Sequence, residues 1–218
     1  MKKVGVCLSG CGVKDGSEIH EAVITILALD RGQAEIVFFA PDGEQRQVVN
    51  HVTGTTLAEK RDMMVEAARI ARGNIKNIKD IKASDIDALI FPGGFGAALN
   101  LCDFAVAGEK CQAHPEVNRL VLEMHKAKKP IGAICIAPAI IARILGSQKV
   151  QLTIGTDPGT ASKLQAMGAI HVDCKVDEVV IDPKNRIVTT PAYMLAKSIK
   201  ETASGIEKLV KTVLEMIA

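Results

Sequence analysis

Short apolar runs and stretches of helical spacing alternate along this chain. Residues 4–8, 35–40, 87–91 and 130–134 are mostly apolar runs of the length expected for strands buried on both faces. Between them, Ile19, Val23, Ile26 and Leu27 recur at helical spacing, and residues 58–71 read as a helix charged on one side. Residues 115–128 open on a proline, which suits a first helical turn. A helix over 137–145 follows the fourth run with almost no loop, whereas 97–114 reads as an irregular insertion. Then come a short strand at 152–154 and a helix at 160–167 closed by Gly168. Segments 179–182 and 186–190 pair across an Asp-Pro-Lys-Asn turn, and an amphipathic helix over 195–217 ends the chain. This alternation predicts one doubly wound α/β domain over residues 1–218, its mostly parallel sheet covered on both faces. Ligands in such a sheet sit at the carboxyl ends of the strands. The loops at 9–18, 40–56, 92–100, 135–136 and 155–159, with those near 190, are therefore where chemistry is expected.

Composition narrows the function. At 48% hydrophobic, the 218 residues can bury a core, which excludes disorder. No apolar run is long enough to span a membrane, and the opening MKKVGVCLSG reads as a first strand rather than a signal peptide. Five Phe, one Tyr and no Trp leave few stacking platforms for nucleic acid. A net charge of +2 with interspersed signs gives no footprint for nucleic acid or an anionic membrane. Cysteines 7, 11, 102, 111, 135 and 174 form no CxxC pair, and two of them lie in apolar runs. Free thiols in a reducing compartment are expected, and with them a cytoplasmic protein.

Three strand ends carry the candidate chemistry. The loop Gly10-Cys11-Gly12-Val13-Lys14-Asp15-Gly16 lies where a nucleotide fingerprint would, but Asp15 and Glu18 would repel a phosphate at the following helix. Either its glycines only make a tight turn, or the loop places Glu18 in the cleft. Cys135 lies between strand and helix, where a sharp bend would lift its sulfur over the sheet beside the amides of Ile136 and its neighbour. A small buried hydrophobe is the alternative at this position. Gly93 and Gly94 end the adjacent strand and would complete an oxyanion hole. Glu18, if buried, could exchange a proton with the thiol.

The strings Phe91-Pro-Gly-Gly-Phe-Gly96 and Ala133-Ile-Cys-Ile-Ala-Pro138, with Glu18 after the first strand, resemble the class I glutamine amidotransferase-like, PfpI-type superfamily. SGCGVKDGSEIHEAV, FPGGFGAALNLCDFA, LTIGTD and VTTPAYMLA resemble its glyoxalase branch, the enhancing lycopene biosynthesis (ElbB-type) proteins. The resemblance covers essentially the whole chain. It implies a flavodoxin-like three-layer sandwich, usually homodimeric, that converts glyoxal to glycolate without a cofactor. By this resemblance Cys135 is the nucleophile, Glu18 its acidic partner, and Gly94 with the Ile136 amide the oxyanion donors. The substrate would be a small aldehyde or dicarbonyl, with no nucleic acid or membrane partner. Ile136 departs from the superfamily, which commonly has histidine after the elbow cysteine, so glutaminase chemistry is not expected. The alternative is a non-enzymatic redox-sensing or interaction protein that uses the same thiol and is linked to isoprenoid metabolism.

Four further residues are possible cleft contacts: Cys11, also a candidate resolving thiol, His51, Asn100 and Tyr193. His20 is expected to pack in the core or an interface, and Asp157 to cap a helix. The His and Cys spacings suggest no metal site.

Overall fold

A computed structural model describes residues 1–217. The strands are β1 (Lys3–Cys7), β2 (Glu35–Ala40), β3 (Val48–Val49), β4 (Thr56–Leu57), β5 (Lys76–Asn77), β6 (Ala88–Phe91), β7 (Ile131–Ile134), β8 (Gln151–Leu152), β9 (Ile170–His171), β10 (Val180–Asp182) and β11 (Ile187–Thr190). The helices are α1 (Ile19–Arg31), α2 (Met63–Ile70), α3 (Phe95–Leu99), α4 (Phe104–Ala107), α5 (Pro115–Lys126), α6 (Pro138–Leu145), α7 (Pro158–Ala166) and α8 (Ile199–Met216). Seven strands form the central sheet in the order β10-β11-β7-β6-β1-β2-β5. Every pairing in it is parallel except β10 with β11. This is the flavodoxin-like α/β sandwich that the sequence predicts.

Both faces of the sheet are dry along β1, β6, β7 and β11, which is why the central strands read as apolar runs rather than alternating ones. Val4 and Val6 of β1, Ile90 of β6, Ile134 of β7 and Val188 of β11 face α1 and α8 in one cluster. Cys7, Leu89, Phe91, Ile131 and Ile187 point the other way, into a cluster with α5 and α6. Parallel register then aligns the strand ends: Cys7 opposes Phe39, Phe91 opposes Ala133, and Ile134 opposes Thr190.

Several elements differ from expectation. Helix α2 begins five residues later than the periodicity suggests, because the Asp62 side chain accepts the Val65 amide (2.8 Å) and fixes the start there. Ser198 sets the start of α8 in the same way. The expected strand at 152–154 is the two-residue β8, paired with β9 outside the central sheet. Segment 97–114 holds the short helices α3 and α4. Within α1 the apolar stripe lies on the solvent side: Ile19, Val23 and Leu27 are exposed, while Glu21, Ala22, Ile24, Thr25 and Leu29 face the core.

Candidate active site

Cys135 lies on the bend between β7 and α6 with φ +61°, a left-handed conformation that costs a non-glycine residue about 1–3 kcal/mol. Its amide is tied to the Thr190 carbonyl (3.0 Å), and Ala137 turns back onto the Ile134 carbonyl (3.0 Å). These bonds lift the sulfur over the strand ends, where the amides of Gly94 and Ile136 face it.

Gly94, the cap residue of α3 beyond the end of β6, has φ +95°, and a Cβ there would run into the Glu18 amide and the Gly16 carbonyl. At Gly93 a Cβ would stand 2.5 Å from both the Cys135 Cβ and Glu21 Oε2. Only glycines allow thiol, carboxylate and glycine loop to meet so closely.

The carboxylate against the sulfur is Glu21, which corrects the expectation of Glu18. Glu18 caps α1: its Oε2 accepts the Glu21 amide at 2.7 Å, and its own amide donates to the Gly93 carbonyl at 2.9 Å. Almost one helical turn later, Glu21 points inward and faces the Cys135 side chain. Its Oε2 accepts the Gly93 amide (2.9 Å) and its Oε1 the Tyr193 amide (3.2 Å). Burial, then the charge of Glu18, push its carboxyl up to about 8, so near neutral pH Glu21 is mostly protonated and can donate to sulfur. Burial and an ionised Glu21 both push the Cys135 thiol up, and the two amides pull it down. Protonation of Glu21 removes the charge that opposes the thiolate, so thiol and acid titrate as a pair.

A cavity of about 360 Å³ opens over this group, and Glu18, Gly94, Cys135, Ile136 and Tyr193 contribute to its wall. The Tyr193 hydroxyl lies 2.7 Å from Nδ1 of His20. His20 itself is exposed rather than packed in a core. No described histidine lines the cavity. The buried His171 side chain instead accepts the Ile154 amide at 3.3 Å.

The other expected cleft contacts hold the glycine loop and do not line the cavity. Asn100 donates to the Ser9 and Asp15 carbonyls (both 2.9 Å) and accepts the Arg46 amide (3.0 Å). His51 accepts the Lys14 amide at 3.2 Å and is exposed. Cys11 faces the charges of Glu66, Arg69 and Asp15, so it is not placed to resolve an oxidised Cys135. Asp157 caps α7 through the Thr160 amide (2.6 Å). All six cysteines are free. Among the described residues no group of three His, Cys, Asp or Glu could hold a metal ion, and no helix is long and apolar enough to cross a membrane.

The DJ-1/PfpI family model matches residues 10–197. The chain belongs to the DJ-1/PfpI family. Within that family it is 45% identical to the ES1 protein homolog, mitochondrial, of Rattus norvegicus, over 98% of this chain and 84% of the rat protein. It is 44% identical to the glutamine amidotransferase-like class 1 domain-containing protein 3, mitochondrial, of Homo sapiens, over 98% and 83% of the two chains. An isoprenoid biosynthesis protein with an amidotransferase-like domain from Ehrlichia chaffeensis superposes with a TM-score of 0.94 at 38% identity, covering all of both chains. Two relatives this similar carry mitochondrial names, which overturns the cytoplasmic expectation. Free thiols do not identify a compartment.

Proposed function

We propose that this cleft is the active site of a cofactor-independent glyoxalase of the ElbB type, with conversion of glyoxal to glycolate as its simplest turnover. The observation that carries the reading is Cys135 on a left-handed bend, held by the Gly94 and Ile136 amides with the buried acid Glu21 at its sulfur. The thiolate adds to an aldehyde carbon, and the amides stabilise the oxyanion that forms. The thiol proton passes to the fraction of Glu21 that is ionised, which then holds it. The hydrogen on the attacked carbon then moves to the second carbon as proton and electron pair. One carbonyl is thereby oxidised to a thioester as the other is reduced to an alcohol. Water cleaves the thioester, releasing the hydroxy acid and restoring the thiol. In this reading Tyr193, whose hydroxyl is backed by His20, carries protons at the second carbon, a task a histidine beside the cysteine would otherwise perform.

Glutamine is a poor fit, because among the described residues no Lys, Arg or His lines the cavity to hold its carboxylate. The redox-sensor reading would want a resolving thiol beside Cys135, and Cys11 faces elsewhere. A homodimer is part of the proposal, supported by the exposed Ile19, Val23 and Leu27 on one side of α1. The test is glycolate formation from glyoxal by the native protein and by Cys135→Ala. Loss of product in the variant is expected, and equal rates overturn the reading.

A further inference from the structure

We propose that Cys102 and Cys111 form a second reactive site, a dithiol that a hydroperoxide closes to a disulfide, latching the surface segment that carries α4. This site stands apart from Cys135 and does not depend on the carbonyl chemistry proposed there.

The two cysteines lie at the base of one hairpin-like fold of the chain. The His114 amide donates to the Leu101 carbonyl (2.8 Å) and the Asp103 amide to the Gln112 carbonyl (3.1 Å), with Cys102 paired to Ala113 in an antiparallel bridge. Residues two apart on an extended chain share a face. Cys111 therefore stands diagonally across from Cys102, on the side that Ala113 shares, and diagonal side chains are within reach of each other. The two side chains face one another. Weak acceptors lie beside both sulfurs: the Ala97 carbonyl is 3.3 Å from Cys102 Sγ, and Met167 Sδ is 3.7 Å from Cys111 Sγ. Both cysteines are buried, yet Glu109, Lys110 and Gln112 are exposed, so the pair lies directly under a surface segment that a small peroxide can pass.

The pair divides the work of disulfide formation. Burial pushes the thiols of Cys7, Cys135 and Cys174 up. Cys111 is instead held below the ordinary thiol range, by the facing Cys102 side chain first and by the charge of Arg143, which together outweigh burial. Arg143 is brought there by its hydrogen bond to Gln112 Oε1 (3.0 Å). The same facing contact, then burial, push Cys102 well up, so Cys111 carries the anion and Cys102 keeps the proton. The thiolate is the nucleophile. Cys111 sulfur attacks a peroxide oxygen, the O–O bond breaks, and a sulfenic acid forms as water or an alcohol leaves with the proton that Cys111 released. Cys102 sulfur then displaces the sulfenic hydroxyl, which leaves as water with the Cys102 proton. Two thiols give two electrons to one peroxide bond, and a dithiol reductant reverses the change.

Helix α4 lies between the two cysteines, and its Phe104 and Ala105 are in the wall of the cavity over Cys135. The Val106 and Ala107 amides donate to the Asp103 carbonyl (3.0 and 2.9 Å), which ties α4 to the base of the hairpin. A disulfide at that base closes the segment covalently and holds this part of the wall.

The experiment treats the full chain carrying Cys135→Ala, which removes the competing thiol in the cleft, with hydrogen peroxide. Intact mass, linked peptides and thermal unfolding are then measured with and without dithiothreitol. Expected are a loss of about 2 Da, a peptide joining Cys102 to Cys111, and a midpoint raised by about 5–10 °C that dithiothreitol abolishes. The native chain, run alongside, should give the same linked peptide. Adding Cys102→Ser should abolish the rise and leave Cys111 about 16 Da or more heavier instead. Addition of oxygen without a link between Cys102 and Cys111 overturns the proposal, and so does a link that leaves the midpoint unchanged.

Discussion

Replacing Glu21 by glutamine tests the buried acid directly. In the folded chain its carboxyl is pushed from 4.5 up to about 8. At 1.36 kcal/mol per pH unit, ionising it in place costs roughly 5 kcal/mol more than in the unfolded chain. The folded state therefore binds the proton more tightly than the unfolded state does. This contribution to stability is complete below about pH 4.5, declines as pH rises, and is gone above about pH 8. A glutamine side chain at this position cannot titrate. Its NH2 would face one of the two amides that now donate to Glu21, from Gly93 or Tyr193, a pH-independent loss of about 1–3 kcal/mol. Urea unfolding followed by circular dichroism, repeated at several pH values from 5 to 8.5, separates the two effects. The native chain should lose several kcal/mol relative to Glu21→Gln across that range, and the difference between the two curves isolates Glu21, with the Cys135 thiol paired to it, from the other titrating groups. Parallel curves would refute the raised carboxyl and, with it, the shared proton at Cys135.

Three other expectations follow from the geometry. Gly94→Ala forces a Cβ into the Glu18 amide and the Gly16 carbonyl at φ +95°; thermal unfolding should show at least about 2 kcal/mol lost. Tyr193→Phe removes the hydroxyl bonded to His20 while keeping the ring, so steady-state kinetics on glyoxal should show kcat falling about 10²-fold or more with KM little changed. Val23→Glu charges the exposed side of α1, and sedimentation should show a shift from dimer to monomer; a native chain that is already monomeric rejects the proposed interface.

The sheet was legible because strands buried on both faces need apolar residues at every position, so residues 88–91 and 131–134 stand out whatever surrounds them. Cys135 was legible for a related reason: a strand passing into a helix with no turn former between them must bend on the residue that is there. Glu21 was missed because the acid after the glycine loop drew attention to Glu18, and because the helix was read from Ile19, Val23 and Leu27. Those side chains face outward. Taking positions 21, 25 and 29 as the core side would have placed a glutamate among buried residues and marked it as unusual. His51 and Asn100 could not be placed from local sequence, since their partners, Lys14, Ser9, Asp15 and Arg46, lie 37 to 91 residues away.

Tyr193 has a consequence of a different kind. The chain has one tyrosine and no tryptophan, and that tyrosine is in the cavity wall with its backbone amide on Glu21. Ultraviolet emission from the native protein thus originates almost wholly beside the reacting sulfur. Filling the cavity, alkylating Cys135 or ionising Glu21 each changes the surroundings of that single fluorophore, so the site can be watched in the unlabelled protein without subtracting a background from elsewhere in the fold.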